Sequence, residues 1–316
     1  MKDKILIITG PTGVGKTKCS LDIAKEFNGE IISCDSFQIY KYLNIGTDKI
    51  RTEDMDGVVH HNLDFVDPAE DYNSSLFKER TKNLIKDIQS RNKLPILVGG
   101  TGLYLHSILY GLDFSGGKPN YELRKKLNDE IEEKGLEYLY KQLIEIDENI
   151  KNIVDKNNKH RIIRALEIYE NTGDLPSKHL ENFRDQKAAY DFLYIIINQD
   201  RQKLYENINS RVDQMFDEGL VQEVEGLLDQ GFNFDLKSFK AIGYKEFKDY
   251  FYGESSLDEV KEKIKQHSRN YAKRQLTWFR RVEEAKWMDK SLYKSEEEFY
   301  KALTKEIGEF LKNEFA

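Results

Sequence analysis

A short apolar run, Ile5-Leu6-Ile7-Ile8, leads directly into Gly10-Pro11-Thr12-Gly13-Val14-Gly15-Lys16-Thr17, and this junction leaves the chain few folds to choose from. The loop matches G-x-x-x-x-G-K-[ST] at every fixed position and is followed by a helical pattern from Lys16 to Phe27. Strand, glycine loop and helix in that order make a phosphate cradle. The glycines let backbone N–H groups curl around phosphate oxygens, and the helix start adds its dipole. Lys16 supplies a point charge and Thr17 a hydroxyl suited to Mg²⁺.

Further strand-type runs lie at Glu30–Cys34, Pro95–Val98 and Phe192–Ile197. Between the first two, Phe77, Thr81, Leu84 and Ile88 recur at helical spacing within Ser74–Gln89. Alternating strands and helices predict an α/β fold with a P-loop NTPase-like parallel sheet core. From Gly116 to Tyr190 the strand runs stop and amphipathic helical patterns replace them, so a mainly helical inserted domain is predicted over 116–190. The core then comprises 1–115 and 191–316, and everything after Asp200 reads as helical. Phe114-Ser-Gly-Gly-Lys-Pro119 reads as the hinge into the insertion.

Composition excludes several classes. No apolar run approaches the ~20 residues of a membrane helix, and the N-terminal apolar run is too short for a leader. Cys19 and Cys34 are the only cysteines, too few for a zinc knuckle or a disulfide framework, and read as reduced core thiols. The expectation is a cytoplasmic monomer without a membrane segment. His60-His61 reads as structural hydrogen bonding, since adjacent side chains diverge and no third ligand stands near.

The phosphate cradle does not say what becomes of the phosphate. Phosphoryl-transfer enzymes usually add an acidic residue on a neighbouring strand to hold Mg²⁺. Here Pro95–Val98 runs into Gly99-Gly100-Thr101 with no carboxylate, which fits a diphosphate that serves as a leaving group. Glu30–Cys34 runs into Asp35-Ser36-Phe37-Gln38. If that strand neighbours the loop strand, Asp35 stands at the carboxyl edge of the sheet, where open α/β sheets bind ligands. It either takes a proton from a nucleophile or caps the next turn.

Net charge is −7, yet between Lys261 and Arg281 eight cations stand against Glu262 alone. Lys261, Lys265, Arg269 and Lys273 recur at four-residue spacing, with Tyr271, Trp278 and Phe279 among them. Cations interleaved with aromatics suit RNA, and a solvated helix face is the alternative. Arg161 and Arg164 form either a second positive patch or pairs with acids such as Glu167.

Taken together these stretches resemble the bacterial-type tRNA dimethylallyltransferase family. The likeness runs through Gly10–Thr17, Asp35–Tyr40, Ile45-Gly-Thr47, His60–Asp64, Gly99–Tyr104, Arg161–Glu167, Ile242–Glu246 and Ala272–Arg280, over roughly residues 4 to 281. It implies transfer of a dimethylallyl group from dimethylallyl diphosphate to the exocyclic amine of an adenosine just 3′ of the anticodon, in tRNAs reading codons that begin with U. It implies Gly10, Pro11, Thr12, Gly13, Val14, Gly15, Lys16 and Thr17 around the diphosphate, with Mg²⁺ at Thr17. It further implies Asp35 as general base, Thr101 placing the adenine or the bridging oxygen, and Arg211 assisting the departing diphosphate. Ser36, Phe37 and Gln38 would line the adenosine pocket. The tRNA anticodon stem-loop would be gripped by His160, Arg161, Ile162, Ile163 and Arg164, by Gly243, Tyr244 and Lys245, and by Arg269, Lys273, Arg274 and Gln275. Phe37, Asn44, Asp48, Asn62 and His160 depart from the family pattern. A nucleotide kinase, a prenyltransferase of free adenine nucleotides and a non-catalytic RNA-binding protein are the rival readings. The first two need no basic stripe, and the third needs no intact Lys16, Thr17 and Asp35.

Overall fold

The computed structural model describes residues 4–110, 120–180 and 188–312. By their contacts the residues form two compact units, 1–108 with 190–316, and 109–189. The stretch Phe114–Pro119, read as a hinge, lies outside the described residues.

The first unit is built on a six-stranded sheet ordered β3-β2-β4-β1-β5-β6, every pairing parallel. Its strands are β1 (Lys4–Thr9), β2 (Gly29–Ser33), β3 (His60–His61), β4 (Leu94–Gly99), β5 (Asp191–Asn198) and β6 (Lys286–Asp289). Ile5 to Ile8 and Tyr194 to Ile197 are almost fully buried, because both faces of a central parallel strand are covered. Helix α1 (Lys16–Glu26) contributes Cys19, Ile23 and Ala24 to the core. Helices α8 (Arg201–Asp217), α11 (Leu257–Phe279) and α12 (Glu296–Lys312) add Ile208, Ala272 and Leu303 to the same cluster. Helix α2 (Ser74–Ser90) stacks Phe77 on Tyr104 of α3 (Gly102–Leu109), with ring centroids 3.9 Å apart.

Three details differ from the sequence reading. β4 lies between β1 and β2, so the strand leading to Asp35 is not the immediate neighbour of the loop strand. β3 and β6 gave no apolar run, because each is a short edge strand; in β6 only Met288 is buried. The chain after Asp200 is therefore not wholly helical.

Glu30 of β2 is buried and meets three cations or potential cations. Arg91 Nη2 donates to it at 2.8 Å, Lys93 Nζ stands 2.9 Å away and His61 Nε2 lies 2.7 Å away. Hydrogen bonding from Arg91 holds the Glu30 carboxyl far below the usual carboxylate range. A depressed carboxyl stabilises the fold above its unfolded pKa and loses that contribution as pH falls through the folded value. Glu30→Gln is expected to cost about 2 kcal/mol at neutral pH, because the partners are partly exposed and can rehydrate. Urea unfolding at pH 7 and near pH 3 checks this, and the gap between variant and wild type should narrow at the lower pH.

The second unit packs α4 (Tyr121–Lys134), α5 (Leu136–Ile146), α6 (Lys159–Thr172) and α7 (Pro176–Leu180) around Leu139, Leu143, Ile150, Ile162 and Leu166. Among the described residues no helix of either unit is long and apolar enough to cross a membrane.

Candidate functional site

The loop leaves β1 after Thr9, whose hydroxyl donates to Gly99 O at 2.6 Å and ties β1 to the end of β4. Gly13 and Gly15 have φ of 80° and 85°, a region that disfavours side chains. A Cβ on Gly13 would also stand 2.8 Å from Ile208 Cγ1. Gly15 caps α1 without a side-chain bond, so the first N–H groups of the helix are open to an anion. Lys16 Nζ donates to Gly10 O and Pro11 O, each at 3.0 Å, within the same loop.

Two helices of the first unit brace this loop. From α8, Asn207 Nδ2 donates to Gly13 O at 3.2 Å and Arg211 Nη1 to Thr12 Oγ1 at 2.6 Å. From α11, Gln275 Oε1 accepts from Thr12 N at 2.9 Å, and its Nε2 donates to Gly100 O at 3.1 Å. Gln275, read as a tRNA contact, is thus buried with both ends of its amide committed. Its place against Gly100 requires glycine, since a Cβ there would come within 1.9 Å of Gln275 Nε2.

Burial first, and Arg211 second, lower the Lys16 pKa to about 8. A bound diphosphate stabilises the ammonium and raises that pKa, so binding takes up a proton at alkaline pH. Affinity for diphosphate is therefore expected to hold below pH 8 and to fall by up to about tenfold per pH unit above it, until the pKa of the complex is passed. Calorimetry at pH 8.5 in buffers of different ionisation enthalpy checks the proton uptake.

Across the carboxyl edge of the sheet, Cys34 N donates to Val98 O at 2.7 Å and Thr101 N to Cys34 O at 3.2 Å, which sets Asp35 beside Thr101. Asp35 Oδ1 accepts from Phe37 N at 2.9 Å and Gln38 N at 3.4 Å, so this oxygen does cap the next turn. Oδ2 takes no hydrogen bond among the described residues and remains available as a base. Asp35, Phe37, Thr12, Arg211, Tyr271 and Arg274 line one cavity of about 220 Å³. Thr101 Oγ1 is sealed from solvent without a hydrogen bond of good geometry, the Tyr271 hydroxyl being its neighbour. Ser36 is half-buried. Gln38 Oε1 accepts from Ser33 at 3.1 Å and its Nε2 donates to Thr47 O at 3.1 Å and Asp48 O at 3.2 Å. It braces the loop that follows, with its amide nitrogen committed to backbone carbonyls.

Ile242–Glu246 also serves this loop. Glu223 of α9 (Leu220–Asp229) accepts backbone N–H bonds from Asn44, Ile45 and Gly46, and the Tyr244 hydroxyl donates to it at 2.6 Å. Gly243, with φ of 99°, lets the backbone close on Gly46. Tyr244 and Gly243 are buried behind Gly46, which lines the cavity; Lys245 is exposed and lines it too.

The basic stripe divides. Lys261 and Lys265 both reach Asp213 of α8, at 2.8 and 2.9 Å, and Arg269 donates to Asn209 at 2.6 Å. These three turn toward α8; the first two share Asp213, and Lys265 also pairs with Glu262 at 3.2 Å. Lys273 and Arg274 are exposed, as are Arg280 and Arg281 just past the helix end. In the second unit, Ile162 and Ile163 belong to the core. Arg164 is partnered by the buried Glu167 at 2.6 Å, beside Arg124. His160 and Arg161 are exposed at the first turn of α6, with Arg161 also donating to Ile153 O at 3.2 Å.

The sequence reading missed Asn207 and Glu223, and it set Tyr271 among the aromatics of the basic helix rather than in the wall of this cavity. Asn207 and Arg211 share one face of α8 at four-residue spacing, a signal legible once Arg211 is in view. Glu223 carries no local signal, because its partners Asn44, Ile45 and Gly46 are remote in sequence.

The family model for IPP transferase matches residues 38–282. The tRNA dimethylallyltransferase of Acetivibrio thermocellus is 46% identical over 308 residues, 98% of each chain. That of Caldanaerobacter subterraneus subsp. tengcongensis is 46% identical over 314 residues, again 98% of each. Among solved structures, the tRNA isopentenylpyrophosphate transferase of Bacillus halodurans aligns with a TM-score of 0.74 at 38% identity, covering 98% of both chains. A eukaryotic dimethylallyltransferase acting on tRNA aligns with a TM-score of 0.84 at 30% identity, over 99% of this chain and 80% of that one. The family match begins past the phosphate loop, while the relatives span nearly the whole chain, loop and Asp35 included. On sequence and fold alike, this chain belongs to the IPP transferase family of prenyl-transferring enzymes.

Proposed function

We propose that the enzyme transfers a dimethylallyl group from dimethylallyl diphosphate to the exocyclic amine of the adenosine 3′-adjacent to the anticodon, in tRNAs that read codons beginning with U, and works in the cytoplasm where such tRNAs are used. The observation that carries this reading is one cavity in which the Asp35 carboxylate faces Arg211 and Thr12 of the phosphate loop, beside a β4 end that offers no carboxylate.

Breaking the allylic C–O bond leaves the electron pair on diphosphate and positive charge on the allyl carbon. Loop amides, Lys16 and Arg211 stabilise the leaving group. The amine forms the new C–N bond with its lone pair and passes its proton to Asp35 Oδ2. That amine is weakly nucleophilic because its lone pair is delocalised into the purine ring. Thr101 Oγ1, beside the Tyr271 hydroxyl, is the group left for a bridging oxygen or the adenine edge to satisfy. A stacked base cannot enter such a cavity, so the nucleotide is flipped from its loop, and Phe37 offers it a π-face.

Thr17 fits a Mg²⁺ ligand. Its hydroxyl takes no hydrogen bond among the described residues and opens on a cavity shared with Asp48 and Arg211. Mg²⁺ takes few protein ligands and several substrate oxygens, and when bound it adds positive charge to the departing diphosphate.

Lys273 and Arg274 provide exposed charge for RNA phosphates. Lys273→Ala and Arg274→Ala are each expected to weaken stem-loop binding and to lower its logarithmic salt slope by about one. An unchanged slope, measured by fluorescence anisotropy across a salt series, would place the RNA elsewhere. The function itself is tested by offering labelled dimethylallyl diphosphate with an anticodon stem-loop and, separately, with AMP. Label in the stem-loop alone supports the reading, and label in AMP moves the enzyme to the free-nucleotide class.

A further inference from the structure

The carboxylate closest to Arg211 is not Asp35 but Asp48, at the end of the loop that Glu223 clamps. Asp48 Oδ2 lies 3.0 Å from Arg211 Nε. Charge holds this pair rather than hydrogen-bond geometry, because Nε is sealed from solvent and makes no good hydrogen bond. The Asp48 backbone is fixed: its N donates to Ile45 O at 3.0 Å, and its O accepts from Gln38 Nε2 at 3.2 Å. Its φ of 52° is one that Asp tolerates better than most residues. The side chain, by contrast, is 52% exposed.

We propose that Asp48 is a stand-in anion: it occupies Arg211 while the phosphate loop is empty, yields it to the diphosphate, and so sets how tightly donor and product are held. This rests on the reading of Gly10–Thr17 as a diphosphate cradle. Arg211 commits Nη1 to Thr12 and leaves Nε and Nη2 as the fork that a diphosphate oxygen pair would take. An exposed carboxylate on a fixed backbone can rotate into water without moving the loop, so the exchange is cheap. Arg211 borders both the cavity that holds Asp35 and the one that holds Thr17, so the exchange acts at the seam between leaving group and base.

The test is calorimetric titration of inorganic diphosphate into the full-length wild type, Asp48→Ala, Asp48→Asn, Arg211→Ala and Asp48→Ala/Arg211→Ala, each with and without Mg²⁺. Asp48→Ala and Asp48→Asn are expected to bind about fivefold more tightly than wild type, the upper end for a half-exposed pair. That gain is expected to vanish in the Arg211→Ala background. In turnover, KM for the donor should fall by a similar factor. An equal gain in both backgrounds would overturn the proposal by making Asp48 a distant charge only. A loss of affinity on Asp48→Ala confined to Mg²⁺ solutions would overturn it by making Asp48 a metal ligand. Failure of the wild type to bind diphosphate at all would sink the cradle reading, and the exchange with it.

Discussion

Asp35→Asn is expected to lower kcat for transfer by roughly 10²–10⁴-fold, the range of a lost general base, with little change in stem-loop affinity or in KM for the donor. The amide is the informative replacement. Asp35 Oδ1 caps the turn at Phe37 and Gln38, and an asparagine Oδ1 keeps both bonds. What the amide cannot do is accept the adenine proton. Asp35→Ala removes base and cap together, so it should show the same loss in kcat plus about 1 kcal/mol of stability. A near-normal rate for Asp35→Asn, measured under single turnover so that product release does not hide chemistry, would end the base assignment and leave Asp35 as a turn cap.

Arg211→Ala should cost roughly 10²-fold or more in kcat, the usual scale for a donor lost from a developing anion. The effect has two sources, and Arg211→Lys separates them. The guanidinium stabilises charge as the C–O bond breaks, and it also holds Thr12 in the loop through a 2.6 Å bond. Lysine restores a charge without the planar fork, so a partial recovery of kcat with a raised donor KM is the expected pattern. Full recovery would mean that charge alone suffices. An unchanged rate in Arg211→Ala would remove it from the leaving-group machinery.

How much of this was legible follows from where each signal resides. The phosphate loop is local: strand, glycines, lysine and helix start are contiguous, so Gly10–Thr17 announced its own geometry. Asp35 was legible as a strand-end carboxylate, although the intervening strand β4 was not, because parallel order is set by crossovers and not by pattern. The basic helix misled in part. Spacing places Lys261, Lys265, Arg269 and Lys273 on one face, but spacing cannot show that Asp213 and Asn209 of α8 wait opposite the first three. Gln275 and Tyr244 were marked for a different reason. Motif position marked them, yet each is buried and works by holding backbone. Edge strands β3 and β6 were silent because half-paired segments need no apolar run.

Gln275 and Glu223 give the site a shared logic. One buried amide ties α11 to the loop at Thr12 and to β4 at Gly100. One carboxylate gathers three successive backbone N–H groups and Tyr244 into the far wall of the cavity. Neither touches the reacting atoms in this arrangement. Gln275 holds the phosphate loop against the end of β4, and Glu223 holds the loop at Gly46, so each fixes one wall of the cavity that Asp35 lines.

The central claim is that this phosphate loop holds a leaving group and does not pass on or hydrolyse a terminal phosphate. The most direct measurement supplies the enzyme with labelled dimethylallyl diphosphate, an anticodon stem-loop and ATP together, and follows label, released diphosphate and ATP at once. The expected result is one diphosphate released for each labelled adenosine in the RNA, with ATP intact; ATP consumed while the RNA stays unlabelled would contradict it.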